Sequence, residues 1–144
     1  MRVVQLFSAG SNAKGQIANG SLVDSNTLER CIEGWGDGRV MDVSGGANHT
    51  LVLLDDGKVY GAGDTSRNQL PGLETGAAFK ELTAFKELPG VRPTAVVRVA
   101  AAWETSFFVL RSEGERSDVL VSAGSNEWGD LGVGDSPSPR RSMS

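Results

Sequence analysis

Val43-Ser44-Gly45-Gly46-Ala47-Asn48-His49-Thr50-Leu51-Val52-Leu53-Leu54 returns 56 residues later as Val99-Ala100-Ala101-Ala102-Trp103-Glu104-Thr105-Ser106-Phe107-Phe108-Val109-Leu110. Each copy runs from an apolar residue through a small-residue turn into an unbroken apolar segment. A second element keeps the same phase: Leu6-Phe7-Ser8-Ala9-Gly10-Ser11-Asn12 recurs as Val59-Tyr60-Gly61-Ala62-Gly63-Asp64-Thr65 and as Leu120-Val121-Ser122-Ala123-Gly124-Ser125-Asn126. Its glycines, Gly10, Gly63 and Gly124, are 53 and then 61 residues apart, and the longer interval is taken up between Arg111 and Val119, where the earlier copy has only Asp55-Asp56-Gly57-Lys58. An insertion confined to a turn is what a structural repeat tolerates.

Working outward, each unit holds short runs of Val, Leu and aromatic residues separated by Gly, Asp, Asn and Ser, the pattern of antiparallel strands joined by tight turns. The complete unit is expected to place strands near Thr27–Ile32, Arg39–Val43, His49–Leu54 and Lys58–Ala62, with Asp55-Asp56-Gly57-Lys58 as a hairpin. The next unit is expected to begin near Glu87 and continue through Val96–Ala100, Thr105–Leu110 and Val119–Ala123. Four-stranded units at this period are propeller blades. The fold class is therefore all-β: a partial β-propeller of four-stranded antiparallel blades, about two and a half of them, over residues 1–135. Residues 136–144, poor in apolar side chains, are expected to be a disordered Ser/Pro/Arg tail. An incomplete ring leaves apolar blade faces open, which points to self-association or to a partner.

The chain has 19 glycines in 144 residues, roughly twice the usual share and in keeping with many tight turns. A net charge of −4 disfavours direct binding to nucleic acid. The apolar runs are too short to span a bilayer, so no membrane is expected as a partner. One cysteine, Cys31, and the lack of a signal-like start point to a reducing compartment, cytoplasmic and also nuclear.

Gly45 to Leu53 followed by Asp56 to Gly63 resembles the blade signature of regulator-of-chromosome-condensation propellers. Gly124-Ser125-Asn126-Glu127-Trp128-Gly129-Asp130-Leu131-Gly132-Val133-Gly134 resembles that family's other hallmark segment. Together the likeness covers most of residues 6–135. Asn48-His49-Thr50 with Gly61-Ala62-Gly63-Asp64, followed by Ala102-Trp103-Glu104-Thr105-Ser106, is similar to the small fungal alpha-tubulin-suppressor branch. That resemblance implies a small zinc-carrying electron-transfer partner used in diphthamide synthesis and wobble-uridine modification of tRNA. The founding member of the family implies the alternative, guanine-nucleotide exchange on a small nuclear GTPase. Two departures stand out: Ile17-Ala18 replaces Leu-Gly, and Asn68-Gln69-Leu70-Pro71 lacks the customary glycine before Gln69. The tight turn is expected to be altered at both.

Candidate chemistry is sparse. His49 is the only histidine, which excludes mechanisms needing two imidazoles within one chain. It is expected to bond locally in the blade, and Cys31 to behave as a small buried apolar residue. The glycine-rich stretches lack the Lys-Ser/Thr of a phosphate loop and the βαβ context of a dinucleotide fold, so no cofactor and no metal is expected. Gly45, Gly46, His49, Gly57, Gly61, Gly63, Gly124, Gly129 and Gly132 are read as structural positions of the repeat. No catalytic residue is assigned, and the chain is expected not to be an enzyme.

Trp103, Glu104, Glu127 and Trp128 are the candidate partner-binding residues. They fall on loops of the repeat, and tryptophan is enriched among interface anchors. For Trp35, Trp103 and Trp128 alike, burial between blades is the competing reading. Residues 73–93, the longest non-repeating stretch, are expected to form an extended inter-blade loop, although Phe79-Lys80-Glu81-Leu82 and Phe85-Lys86-Glu87-Leu88 also allow a short helix. The functional expectation is a non-catalytic interaction scaffold.

Overall fold

The computed structural model describes residues 4–112, 114, 116–127, 129, 131, 132 and 141–143. Among these residues ten strands fall into three antiparallel sheets. A truncated first blade pairs β1 (Phe7–Gly10) with β2 (Ser25–Arg30). The second blade has the order β3 (Val40–Gly45), β4 (His49–Leu54), β5 (Val59–Gly63), β6 (Gly76–Glu81). The third repeats it with β7 (Pro93–Ala102), β8 (Thr105–Ser112), β9 (Val119–Ser125) and β10 (Arg141–Met143). The expected architecture of about two and a half blades is thus the observed one.

The phase of the blade differs from expectation. Thr27–Ile32 was expected to open the complete unit, but most of it lies in β2, which pairs with β1 and closes the blade before. The fourth strand of the complete blade is β6, inside the stretch expected to be an extended loop. Glu87, expected at a strand edge, ends a short 3-10 helix, Ala84–Glu87, and the third blade begins at Pro93. β6 forms because β5, already paired to β4 on one side, has a second row of backbone groups to satisfy, and Tyr60↔Glu81, Gly61↔Lys80 and Gly63↔Gly76 satisfy it. The same demand corrects the expected tail: Arg141–Met143 pairs with Ser125–Ala123 of β9. The rest of that tail lies outside the described residues.

β4 reads as a continuous apolar run because it is buried on both faces. Leu51 and Leu53 face the third blade, in one core with Val59, Leu70, Phe85, Val96, Val99, Phe108, Leu110 and Val121. Val52 and Leu54 face the truncated blade, in a second core with Ala18, Cys31, Trp35, Tyr60 and Phe79. Trp35 packs its ring 5.2 Å from Tyr60 and 5.4 Å from Phe79, so for this tryptophan burial is the outcome. Gly57 turns the β4–β5 hairpin at φ +88°, and a Cβ there would come within 2.5 Å of Ala95 Cβ. The absent side chain lets the Gly57 carbonyl accept from Val96 N–H at 3.0 Å, tying blade to blade.

The hydrogen bonds repeat as the sequence does. Asn12 Oδ1 accepts from Ile17 N–H and Asn126 Oδ1 from Leu131 N–H, at 3.2 and 3.1 Å. The turn after each glycine strand closes in all three copies, with Gly15, Asn68 and Gly129 N–H donating to the carbonyls of Asn12, Thr65 and Asn126. The turns expected to be altered are retained. Asn68 takes φ +61° where the other copies have Gly15 and Gly129, and Ala18 takes φ +55° where the third copy has Gly132. Tertiary packing holds these two side chains in a left-handed backbone that glycine adopts freely.

Among the described residues no helix is long and apolar enough to cross a membrane.

Candidate protein-binding rim

Three turns meet at the end of the blades where the glycine strands finish. The β3–β4 turn donates Ala47 N–H to the carbonyl of Trp103, in the β7–β8 turn, at 2.8 Å. Asn48 O accepts from Asp64 N–H at 2.8 Å, and its counterpart Glu104 O accepts from Ser125 N–H at 3.0 Å. These bonds require glycine at Gly63 and Gly124, where a Cβ would lie 2.4 Å from Asn48 O and 2.2 Å from Glu104 O. Gly46 is equally constrained, since a Cβ would fall 2.7 Å from Trp103 O and against the His49 ring. Gly61 lies under Leu70 and Leu82, while a Cβ at Gly45, Gly129 or Gly132 would meet nothing within 4 Å among the described residues.

On this frame Trp103 has φ +51° and a side chain 69% exposed. A bulky residue in the left-handed region costs on the order of 1 kcal/mol and persists only where the surroundings impose it. Glu104, half-buried beside it, forms an ion pair with Arg67 at 3.5 Å. That pair is worth little to stability, because both side chains remain solvated, but it orients the carboxylate. Glu127 is exposed, its N–H held by Ser125 Oγ at 3.3 Å, and so belongs to the same end. Trp128 lies outside the described residues.

His49 is elsewhere, fully inside. Its Nε2 lies 2.8 Å from Ser106 Oγ, and Ser106 Oγ donates to the Gln69 carbonyl at 2.7 Å. Because a carbonyl can only accept, the serine proton is committed to Gln69, and His49 must donate through Nε2. Nδ1 is buried with no partner among the described residues. Burial lowers the imidazole pKa from 6.5 to about 4, against the opposing pull of the Asp64 carboxylate. A serine activated as a nucleophile would donate to histidine and face a substrate; Ser106 does neither and has no exposed surface. The pair is a latch between blades, whereas His49 was expected to bond locally within its own blade.

A second latch has the same form: Thr50 Oγ1, the counterpart of Ser106, donates to the Gln16 carbonyl at 2.7 Å. Sequence reasoning missed both latches. Their signal was present as a glutamine six residues after Gly10 and after Gly63, each paired with a hydroxyl residue in the next blade.

Among the described residues no three His, Cys, Asp or Glu side chains gather as a metal site. Cys31 is buried beside Ser8 Oγ and the Ile17 carbonyl, and burial raises its thiol pKa, with the Ser8 hydrogen bond opposing.

Residues 5–53 and 40–69 match the regulator of chromosome condensation (RCC1) repeat. Over residues 5–69 the chain is thus similar to RCC1 repeats. It is 30% identical over 132 residues to the secretion-regulating guanine nucleotide exchange factor of Bos taurus, covering 92% of this chain and 26% of that protein. It is 34% identical over 132 residues to the protein RCC2 homolog of Danio rerio, covering 89% and 24%. The chain thus spans about a quarter of the length of these curated relatives. Its fold is similar to that of Prp20p from Saccharomyces cerevisiae, a protein studied for its binding to Gsp1p and histones. There the TM-score is 0.70 at 19% identity, over 96% of this chain and 33% of Prp20p.

Proposed function

We propose that this RCC1-repeat chain is a non-catalytic protein-interaction scaffold whose binding rim is Trp103, Glu104 and Glu127, with Trp128 beside them in sequence. One observation carries the reading: the Trp103 indole is held out to solvent in a left-handed backbone on a turn bonded to its neighbour. Tryptophan is enriched among interface anchors, and on a rigid frame it loses little conformational entropy on docking. Binding rather than catalysis is further supported by a buried Ser106–His49 pair with no route to a substrate. The buried unpaired thiol supports a reducing compartment, cytoplasm and nucleus.

Within this reading, the motif likeness to the alpha-tubulin-suppressor branch favours a small zinc-carrying electron-transfer protein, acting in diphthamide synthesis and tRNA wobble-uridine modification. The carboxylates of Glu104 and Glu127 suit a basic or metal-bearing surface. Affinity capture from cell extract, with the Trp103→Ala chain alongside, tests the scaffold. A protein retained by the native chain and lost from the variant supports it; a folded, monomeric chain that retains nothing counts against it.

A second reading is guanine-nucleotide exchange, favoured by the likeness to the secretion-regulating guanine nucleotide exchange factor of Bos taurus, with a small nuclear GTPase as the substrate that the family resemblance implies. Accelerated nucleotide release from such a GTPase would place this reading first.

A further inference from the structure

Asn19-Gly20 is the one place in the sequence where asparagine precedes glycine; every other asparagine is followed by a residue with a side chain. In an open chain this dipeptide is chemically labile. The Gly20 nitrogen, once a base has taken its proton, attacks Asn19 Cγ; the new N–C bond closes a cyclic imide, the Cγ–Nδ2 bond breaks, and ammonia leaves. Water then opens the imide at either carbonyl, giving aspartate or isoaspartate with no change of oxidation state. Glycine favours the closure because it has no Cβ to obstruct it.

In the fold, different blades hold the two reacting groups. Gly20 N–H donates to the carbonyl of Ala77, on β6 of the second blade, at 2.9 Å. Its proton is thereby withheld from base, and the nitrogen is kept from turning toward Cγ. A further backbone bond crosses the same junction, from Phe79 N–H to the Ile32 carbonyl at 3.2 Å. The side-chain amide is fixed within the first blade instead. Asn19 Oδ1 accepts from the Nδ2 of fully buried Asn12 at 3.0 Å and from Ser21 N–H at 3.1 Å, while Asn19 Nδ2 donates to Glu29 Oε2 on β2. Asp37-Gly38 and Asp56-Gly57 differ in both respects. Their glycine N–H groups donate within their own turns, to the Trp35 and Leu54 carbonyls, both at 3.1 Å, and an ionised carboxylate is a poor target for attack.

We propose that Asn19 is a site of spontaneous deamidation gated by the contact between the first and second blades. While the blades are packed the reaction is withheld; when they part, Gly20 is released from Ala77 and the conversion is irreversible. The product does not fit the place that asparagine leaves. It sets a carboxylate where Nδ2 donated to Glu29, so two like charges meet with no proton between them. Isoaspartate also adds one carbon to the main chain immediately before the bond to Ala77. Conversion therefore holds the junction open at the core that contains Ala18, Cys31, Trp35 and Phe79. This goes beyond the scaffold reading, uses no residue of the Trp103 rim, and stands whatever that rim binds.

The test incubates the full chain at mildly alkaline pH, in buffer and in urea that unfolds it, and reads conversion at residue 19 by mass spectrometry of the tryptic peptide 15–30. Conversion should be at least about tenfold faster in urea, because the native rate is scaled by the small fraction of open molecules. Below the unfolding midpoint, conversion should rise with urea in step with labelling of Cys31, buried in the same core. Gly20→Ala should suppress conversion even in urea. Asn19→Asp, which is the product, should speed Cys31 labelling at least about tenfold, and adding Glu29→Gln should restore the slow rate by supplying a donor between residues 19 and 29. The conversion rates are read on the native sequence, so the gate is tested even where a variant does not fold. Equal conversion in buffer and urea, or none at residue 19 in either, overturns the proposal. So does an Asn19→Asp chain that labels no faster than the native one, or one that Glu29→Gln does not restore.

Discussion

Lowering the pH from 7 to 4 should weaken this protein through His49, and the size of the effect follows from where the ring lies. The imidazole is 1% exposed, its Nε2 bonded to Ser106 and its Nδ1 without a partner among the described residues, and its pKa falls from 6.5 to about 4. Because the folded value is depressed, the unfolded chain takes up the proton first. The contribution of the neutral ring is complete above pH 6.5 and is lost as the pH falls toward 4. At ~1.4 kcal/mol for each tenfold separation of the two proton affinities, the loss comes to about 3 kcal/mol. That is a large fraction of the ~5–15 kcal/mol typical of a domain. His49→Gln keeps a donor for Ser106 and removes the titration. Urea unfolding of both proteins between pH 7 and 4 should give a stability difference that changes by about 3 kcal/mol across the window. As the only histidine, His49 also gives an unambiguous NMR titration. Parallel stability profiles, or a ring that titrates near 6.5, would refute the reasoning.

Gly124→Ala should cost on the order of 3–5 kcal/mol, adding the strain of a glycine-only φ to a collision with the Glu104 carbonyl. Gly10→Ala, at the matching position with open space, should cost only the strain, about 1–3 kcal/mol, and equal midpoints in urea would contradict that difference. Trp103→Gly relieves the left-handed strain and should raise stability by roughly 1 kcal/mol while abolishing partner capture, opposite signs that thermal unfolding and affinity capture read separately. Cys31, buried and with a raised thiol pKa, should react with a disulfide reagent at neutral pH only as fast as the chain opens, so rapid labelling of the native protein would show that the core beside β1 is not closed.

The likeness of Leu6–Asn12, Val59–Thr65 and Leu120–Asn126 established strands, repeat period and blade architecture before any coordinates. Each copy must bury the same apolar face and turn at the same glycine, so the pattern is written locally. It did not say where a blade begins. A cyclic order of four strands looks the same from any starting point, and only hydrogen-bond pairing separates β2, which closes one blade, from β3, which opens the next. β6 was hidden for a related reason: Gly76–Glu81 carries little apolar patterning and becomes a strand because β5 has a free row of backbone groups to satisfy.

The candidate site divides the same way. Trp103 and Glu104 were visible as large residues in a turn, but composition cannot tell a tryptophan packed between blades, as Trp35 is, from one held in solvent at φ +51°. The amino-acid order alone determined an all-β repeat with glycines at its crossing points, because those properties depend on neighbours within a few residues. Tertiary structure decided the blade phase and the latches of Ser106 and Thr50 to the carbonyls of Gln69 and Gln16, because each depends on which distant strand lies alongside.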